Sequence, residues 1–174
     1  DIVDFTTLSQ QVSAVELVGQ LNGIFSQFDR LARKHGLEKI KTIGDAYMAV
    51  CGAPIQVDNH AERTGLFALE VSELMDNFIV DSVGQISVRI GLHTGSVVAG
   101  IIGEVKFSYD MWGDAVNTAS RMESHGEAGK IHVSEEFKHA VETVHEPSLR
   151  FIPRGEMDIK GKGRMKTYFL EKYL

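Results

Sequence analysis

Apolar positions along this chain of 174 residues recur at helical spacing in three places. Over Ser9–His35 the spacing predicts one long amphipathic helix, and Gly36 supplies its end. The same spacing predicts helices over Asn59–Phe78 and Ala115–Ser124. A further helix is expected to begin at Ser134, because serine caps helix N-termini and the two glutamates that follow suit a first turn.

Short apolar runs between turn residues predict the strands. They are Lys39–Thr42, Ala46–Cys51, Ile86–Gly91, Val97–Ile102, Lys130–Val133 and antiparallel strands within Leu149–Leu174. Gly44-Asp45 indicates a hairpin, and Asp1-Ile2-Val3 has the pattern of the end of a first strand. The order is then strand, helix, two strands, helix, strand. This order is typical of an α+β, ferredoxin-like βαββαβ core, here with C-terminal helix and strand additions.

Composition narrows the class of protein. Hydrophobic residues make up 43% and charged residues 24%, and only three prolines occur, so we expect residues 1–174 to form one domain. The net charge of -6 argues against nucleic acid as a partner. No apolar run approaches the ~20 residues of a membrane span. We expect a cytoplasmic domain. Because the chain opens without Met on the end of a strand, we also expect a fragment of a longer protein, which can carry an upstream regulatory or membrane domain.

Two acidic residues stand at predicted turns. Asp1 is placed where a strand gives way to a helix, and Asp45 is at a hairpin tip. Carboxylates there can converge and bind Mg²⁺, although turn chemistry alone also explains each aspartate. Phe5 and Thr6 enter a helix, whose free N–H groups suit a phosphate chain. No Walker-type loop and no Gly-x-Gly-x-x-Gly occurs. Cys51, in an apolar run, is expected to be a reduced, buried thiol.

The segment 107–124 is the most specific in the chain. Asn117 and Arg121 are four residues apart and share one helix face, whereas Ala115, Ala119 and Met122 form the side that packs. A solvated pair would be the ordinary interpretation. The neighbouring glycine, tryptophan and two aspartates of Tyr-Asp-Met-Trp-Gly-Asp favour a functional one.

Five motifs, taken in order, resemble the catalytic domain of class III nucleotidyl cyclases, the adenylate and guanylate cyclases. They are Asp-Ile-Val-x-Phe-Thr, Lys-Ile-Lys-Thr-Ile-Gly-Asp-Ala-Tyr-Met, Val-Arg-Ile-Gly-Leu-His-Thr-Gly, Tyr-Asp-x-Trp-Gly-Asp-Ala-Val-Asn-x-Ala-Ser-Arg-Met-Glu and Lys-Gly-Lys-Gly. The likeness covers nearly the whole chain. It implies an enzyme that makes a cyclic nucleotide and pyrophosphate, and it favours the functional interpretation of both aspartates.

The resemblance implies one set of residues for the metal ions and the terminal phosphates. Asp1, Asp45 and the backbone carbonyl of Ile2 match the ligands of two divalent cations, Mg²⁺ or Mn²⁺. Arg89 and Lys160 match basic residues that reach the phosphates. Asp4 departs from the family pattern, which usually has glycine there.

A second implied set meets the rest of the nucleotide. Lys41 and Asp110 match the pair that reads the base, Asn117 the residue that orients the ribose, and Arg121 the residue that stabilises the α-phosphate. In the family's head-to-tail dimer one chain would supply Asp1, Asp45 and Arg89, and its partner would supply this second set together with Lys160. A homodimer would then hold two complete sites.

Hydrogen bonding favours ATP as the substrate. Lys41 only donates and ionised Asp110 only accepts, which matches adenine, whereas guanine reverses both edges. Family guanylate cyclases typically carry Glu and a small residue such as Cys at these places. Lys39 and Lys162 are the alternatives to Lys41 and Lys160, and spacing to Asp45 favours Lys41.

Three other interpretations are weaker. A non-catalytic cyclase-like module is opposed by the complete residue set, and a guanylate cyclase by the base-reading pair. A diguanylate cyclase needs a Gly-Gly-Asp/Glu-Glu-Phe hairpin, which is absent. His93 is expected to be structural.

Overall fold

The computed structural model describes residues 1–80, 84–103, 108–143 and 148–173, except for the side chains of Thr6, Leu8 and Val80. The helices of these ranges are α1 Phe5–Gln11, α2 Ala14–His35, α3 His60–Asp76, α4 Asp114–Ser124 and α5 Glu135–Glu142. The helices expected around residues 59–78, 115–124 and after Ser134 are thereby confirmed, within a residue or two at most ends.

The strands lie between and after these helices, in the mixed order of an α+β fold. They are β1 Glu38–Ile43, β2 Ala46–Val50, β3 Ile79–Val80, β4 Gly84–Gln85, β5 Ile90–Leu92, β6 Val98–Ile102, β7 Ser108–Trp112, β8 Ile131–Ser134, β9 Leu149–Ile159 and β10 Gly163–Lys172. The sequence analysis missed the short β3–β4 pair and β7. The polar residues of β7 interrupt the alternation of apolar and polar positions by which strands are recognised.

The N-terminal helical region corrects the prediction of one helix over Ser9–His35. The chain forms α1 and α2 instead, and the break comes at Val12, which is extended. Ser13 caps α2 by accepting from the N–H of Glu16, whose carboxylate accepts in return from the N–H of Ser13. This capping box gives α2 a strong start of its own, which the apolar periodicity concealed.

A four-stranded sheet, in the order β5–β8–β10–β9, forms the C-terminal half of the fold. β5 runs parallel to β8, while β10 is antiparallel to both β8 and β9. The hairpins β1–β2 and β6–β7 are separate two-stranded pairs. The predicted strand Ile86–Gly91 is shorter than expected. Its ladder begins at Ile90, and Val88 makes only an isolated bridge to Ile2.

Residues 1–3 are hydrogen-bonded on both sides to other parts of the chain. Val3 N–H donates to the Ser87 carbonyl at 2.9 Å, and Ile2 N–H donates to the Asp45 carbonyl at 3.3 Å. This short extended segment therefore lies between the β1–β2 hairpin and the chain leading into β5. That is the central position of the first strand in a βαββαβ core.

Two apolar cores hold these layers together. One packs Ile2 and Val88 against α2 and α3, through side chains that include Ile24, Phe28 and Met75. The second packs α3 and α5 against β5, β8 and β10, with the fully buried Val133 and Phe137 among its members. α4 contacts β5 and β8 as well, and its buried side chains are Thr118 and Met122.

Cys51 lies one residue beyond β2 and is half-buried rather than fully buried. Burial raises the pKa of its thiol, which keeps it protonated and unreactive. Among the described residues, no helix combines the length and apolar character that crossing a membrane requires.

Candidate active site

The predicted metal residues come together at one edge of the central segment. The hydrogen bond from Ile2 N–H to the Asp45 carbonyl brings the hairpin tip against Asp1-Ile2. The tip turns at Gly44, whose φ of 60° is left-handed and suits glycine. Two carboxylates and a backbone carbonyl are hard oxygen donors, so this set fits Mg²⁺ or Mn²⁺. Among the described residues, no site gathers three or more His, Cys, Asp or Glu side chains.

Arg89 lies directly beside these carboxylates. Its Nη2 donates to Asp1 Oδ2 at 2.6 Å, and its Nε donates to Glu123 Oε1 at 3.0 Å. The backbones are joined too, because Arg89 N–H donates to the Asp1 carbonyl at 2.9 Å. The structure therefore groups Arg89 with Asp1, as the sequence predicted, and adds Glu123, which the sequence analysis did not single out.

Helix α4 carries two sets of polar residues on different faces. At about 100° per residue, Glu123 points about 140° away from the mean direction of Asn117 and Arg121. Glu123 faces Arg89, whereas Asn117 is exposed and Arg121 is partly exposed. Among the described residues, no side chain forms an ion pair with the Arg121 guanidinium. Within one chain, Asn117 and Arg121 thus lie on a different face of α4 from Glu123, which contacts Arg89 beside Asp1.

The two predicted base-reading residues contact each other. Lys41 Nζ, on β1, donates to Asp110 Oδ2 on β7, and Asp110 Oδ1 accepts from the Met111 N–H at 2.8 Å. The hydrogen bond from Lys41 holds the pKa of Asp110 below its usual range, and the Met111 N–H acts in the same direction. Asp110 is therefore ionised at neutral pH and can only accept hydrogen bonds.

The neighbouring lysine has a different partner. Lys39 Nζ lies 3.1 Å from Asp29 Oδ1 and near the ring of Tyr47, whose hydroxyl also donates to Asp29. Burial and the Asp29 hydrogen bond raise the pKa of Tyr47. With Lys39 held in this cluster, Lys41 is the lysine of β1 that meets Asp110.

The lysines of the C-terminal turn are also distinguished by their contacts. Lys160 is exposed at the turn between β9 and β10. Lys162 instead forms an ion pair with Asp114, the first residue of α4. Among the described residues, no ion pair joins Lys160 to the other predicted site residues, and Lys162 is the lysine in contact with the helix that carries Asn117 and Arg121.

The C-terminal end of α4 is held by buried and charged groups. His132, fully buried on β8, donates from Nδ1 to the Met122 carbonyl at 2.7 Å. Arg154 donates to the His125 carbonyl and lies 3.3 Å from His132 Nε2. Burial is the main cause that lowers the pKa of His132, so its ring is neutral and keeps this tautomer. Cationic and donor groups are also favoured at a helix C-terminus.

His93 has the structural role that the sequence analysis expected. Its Nδ1 lies 2.7 Å from the hydroxyl of Ser134, which caps α5 by accepting from the Phe137 N–H. Burial lowers the pKa of His93, ahead of the opposing effect of Glu136. The ring therefore joins the end of β5 to the start of α5.

The β6–β7 hairpin exposes apolar side chains next to Asp110, the partner of Lys41. Val98 and Trp112 are paired across the hairpin, and Gly100 is paired with Asp110. Val98 is 69% exposed and Ile102 is 59% exposed. Because side chains alternate along a strand, Val98, Ile102, Asp110 and Trp112 share one face of the hairpin. Exposed apolar patches mark interaction surfaces.

Two remaining predictions concern the turn after Val3. Phe5 begins α1 and packs against the first core, so only its backbone is free to meet a phosphate. The Thr6 side chain lies outside the described residues, although its backbone is in α1. Asp4 adopts φ 56°, the only left-handed non-glycine residue of the described ranges, and is exposed.

Sequence reasoning missed Glu123 and the importance of Gly91. Glu123 follows the motif Asn-Thr-Ala-Ser-Arg-Met, where helical spacing from Arg121 would have placed it on another face. Gly91 stands in Val-Arg-Ile-Gly, and only the packing of α4 shows that no side chain fits there. A glycine inside a strand pattern is a signal of close backbone approach that could have identified it.

Comparison with known proteins agrees with this geometry. The family model of the adenylate and guanylate cyclase catalytic domain matches residues 1–172. The chain is 42% identical over 171 residues to guanylate cyclase soluble subunit beta-2 of Rattus norvegicus, covering 98% of this chain and 25% of that protein. It is 41% identical over 170 residues to an adenylate cyclase of Mycobacterium tuberculosis strain H37Rv, covering 98% of this chain and 38% of that protein.

The solved structures include close matches to the fold. The guanylate cyclase domain of RhGC from Catenaria anguillulae, in complex with GTP, superposes with a TM-score of 0.93 at 38% identity, covering 100% of this chain and 93% of that one. The chain spans about a quarter of the length of the rat relative (25%). With its α+β fold and all five motifs in order, the chain belongs to the class III family of adenylate and guanylate cyclase catalytic domains.

Proposed function

We propose that this domain is an adenylate cyclase, which converts ATP to 3′,5′-cyclic AMP and pyrophosphate. The observation that carries the choice of ATP is the ion pair between Lys41 and Asp110. A lysine ammonium has three donors and a carboxylate has several acceptor sites, so each keeps hydrogen-bonding capacity beyond their mutual contact. The donor matches adenine N1, and the acceptor matches the amine on C6.

Guanine would meet the same pair with both edges reversed. A donor would then face a donor and an acceptor would face an acceptor, and each mismatch costs about 1–3 kcal/mol when buried. The relatives include guanylate and adenylate cyclases alike, so overall similarity does not choose between the two nucleotides. The hydrogen-bonding argument therefore supports ATP.

The chain's own side chains would orient the two reacting groups. Asn117 would hold the ribose so that its 3′-oxygen lies in line with the α-phosphorus. Arg121 would donate to the α-phosphate oxygens, where negative charge grows in the transition state, and Arg89 and Lys160 would hold the leaving phosphates. Divalent cations, Mg²⁺ or Mn²⁺, held by Asp1, Asp45 and the Ile2 carbonyl would supply Lewis-acid polarisation and charge neutralisation.

A head-to-tail homodimer would assemble each site from two chains. Cyclase domains of this family act as dimers. The different directions of Arg89–Glu123 and of Asn117–Arg121 on α4 support a division of the site between protomers. The exposed apolar face of β6–β7 beside Asp110 supports an interface there. One chain would give Asp1, Asp45 and Arg89, and its partner would give Lys41, Asp110, Asn117, Arg121 and Lys160.

The experiment is a product assay of the purified chain with ATP or GTP and Mn²⁺, resolved by chromatography over a range of protein concentrations. Cyclic AMP from ATP, at a specific activity that rises with protein concentration, is the expected result. Cyclic GMP as the main product would contradict the base assignment. Absence of any cyclic nucleotide would favour a non-catalytic module. Lys39→Ala, which removes the lysine held by Asp29, is the control for Lys41→Ala, and only Lys41→Ala should change the ATP/GTP ratio.

A further inference from the structure

The guanidinium of Arg89 is shared by two carboxylates. Its Nη2 bonds to Asp1 Oδ2 at 2.6 Å, and its Nε bonds to Glu123 Oε1 at 3.0 Å. All three side chains are partly buried, with 33%, 17% and 24% of the Arg89, Asp1 and Glu123 side chains exposed. Partial burial strengthens such charge-assisted bonds relative to those of a fully solvated pair.

Arg89 and a divalent cation would compete for the same carboxylate. Oxygen Oδ2 of Asp1, which the proposed function gives to a metal ion, is the atom that Arg89 occupies. With Asp1 bound to a cation, Nη2 of Arg89 would lose this partner, whereas Nε would stay paired with Glu123. The released Nη2 is then free to donate to another anion, while the Arg89 side chain keeps one fixed partner.

Glu123 is itself held in place by the fold. A Cβ built on Gly91 would lie 2.0 Å from the Glu123 backbone nitrogen and 2.7 Å from the Ala119 carbonyl oxygen. The backbone of α4 at Glu123 therefore packs directly against Gly91 of β5. Gly91 is two residues beyond Arg89 in the chain. This contact fixes the distance between the Glu123 backbone and β5, and Arg89 is the residue directly before β5.

We propose that Glu123 is a positioning residue for Arg89, which keeps the guanidinium in place when a divalent cation takes Asp1. The proposal rests on the proposed function for the role of Asp1 as a metal ligand. In this arrangement Glu123 lowers the cost of metal binding, because Arg89 keeps one anionic partner when it loses Asp1, whereas without Glu123 it would keep none. Glu123 acts through Arg89 and does not itself touch the cation.

The test measures Mn²⁺ alone, without nucleotide, by the electron paramagnetic resonance signal of free Mn²⁺ titrated with the chain. Glu123→Gln should weaken Mn²⁺ binding about two- to fivefold, the range of a partly exposed ion pair. Arg89→Gln should strengthen it, because the competing cation is gone. Glu123→Gln added to Arg89→Gln should have no further effect. Glu156→Gln, which removes the same charge from an exposed residue of β9 paired with Arg164, is the matched control and should behave like wild type.

A second variant separates positioning from simple charge. Glu123→Asp keeps the negative charge but draws the carboxylate back from Nε by one methylene. It should weaken Mn²⁺ binding as Glu123→Gln does, with an unchanged thermal unfolding midpoint. Wild-type affinity in Glu123→Asp, or weakened binding by Glu123→Gln in the Arg89→Gln background, would show that the charge acts directly and would overturn the proposal.

The remaining outcomes distinguish this proposal from the proposed function. Wild-type Mn²⁺ binding with no change in either Glu123 variant would overturn the role of Glu123 alone. Absence of Mn²⁺ binding by the wild-type chain would contradict the metal assignment of Asp1 and Asp45, and with it the proposed reaction as well.

Discussion

Gly91 on β5 lies so close to Glu123 on α4 that a Cβ at Gly91 would come within 2.0 Å of the Glu123 backbone nitrogen. The clash would be with backbone atoms, which cannot turn aside as a flexible side chain can. Strand and helix are thus in direct backbone contact at this point. The orientation of α4, and with it the positions of Asn117 and Arg121, depends on the absence of a side chain at residue 91.

Gly91→Ala is therefore expected to displace α4. We expect a loss of about 1–3 kcal/mol in the free energy of unfolding, the usual range for overpacking, and a fall in cyclase activity larger than this loss of stability explains. Urea denaturation and the cyclase assay measure the two effects. The control is Gly19→Ala in α2, where nothing lies within 4 Å of the new Cβ, and it should be neutral or slightly stabilising. A Gly91→Ala chain with normal stability and activity would contradict the tight contact.

Base selection is expected to follow the hydrogen-bonding pattern of Lys41 and Asp110. The double variant Lys41→Glu/Asp110→Cys should lose kcat/KM for ATP and gain kcat/KM for GTP. Each reversed contact contributes about 1–3 kcal/mol, so the change in the ATP/GTP ratio should exceed tenfold. Both substitutions are made together, since Lys41→Glu alone would place two carboxylates side by side. Competition assays with both nucleotides give the ratio, and an unchanged ratio would refute the assignment.

The left-handed backbone conformation at Asp4 is expected to lower the free energy of unfolding. Its φ of 56° lies in the left-handed region, and its side chain is exposed. Asp4→Gly should stabilise the fold slightly, whereas Asp4→Ala should destabilise it by about 1 kcal/mol, because alanine tolerates this region less well than aspartate. Thermal and urea unfolding rank the three chains. A ranking with alanine above glycine would show that the left-handed turn is not maintained in solution.

Stability is expected to fall as the pH drops below neutrality, in part because of His132. Burial lowers its folded pKa below the ordinary value of 6.5, against the hydrogen bond to the Met122 carbonyl, which raises it; Arg154 and His125 lower the pKa further, and Glu127 opposes them. Above pH 6.5 both states are neutral and His132 adds no pH dependence. As the pH falls from 6.5 towards the folded pKa, the unfolded chain binds the proton first, so the free energy of unfolding decreases by at most about 1.4 kcal/mol per pH unit.

The measurement is urea denaturation of wild type and His132→Gln at several pH values between 7.5 and 5. His132→Gln should show the smaller pH dependence, with the contribution of His93 left in both chains. His139→Gln, at an exposed position of α5, is the control and should keep the wild-type slope. Equal slopes for wild type and His132→Gln would show that His132 binds its proton equally well in the folded and unfolded chains, which contradicts the lowered pKa.

The sequence predicted the parts of the fold that depend on local patterns. The β1–β2 hairpin followed from Gly44-Asp45, and α3 and α4 followed from helical periodicity. The division of the first helical region at Ser13 was missed, because apolar spacing continues across a cap that only the Ser13–Glu16 hydrogen bonds define. β7 was missed because Asp110, which its partner Lys41 stabilises, interrupts the apolar pattern.

The residues of the candidate site could be predicted where they lie within one continuous sequence motif. Lys41 contacts Asp110 and Arg89 contacts Asp1, in agreement with the groups that the resemblance implies, while their roles toward the base, the metal and the phosphates stay predictions. Glu123 and Lys162 were not assigned, because their partners are 34 and 48 residues away and belong to other elements. Such contacts arise when distant parts of the chain pack together, and the spacing of residues within one segment does not predict them.

The central claim, that one cyclase site is built from two copies of this chain, is tested most directly by mixing two inactive variants. Asp45→Ala removes a proposed metal ligand from one half of each site, and Arg121→Ala removes the proposed α-phosphate contact from the other half. Each variant alone should make no cyclic AMP from ATP while keeping the wild-type circular dichroism spectrum. In the mixed dimer one of the two sites has both halves intact, so activity should return. Continued inactivity of the mixture, with heterodimers demonstrated by differently tagged chains, would contradict the shared site.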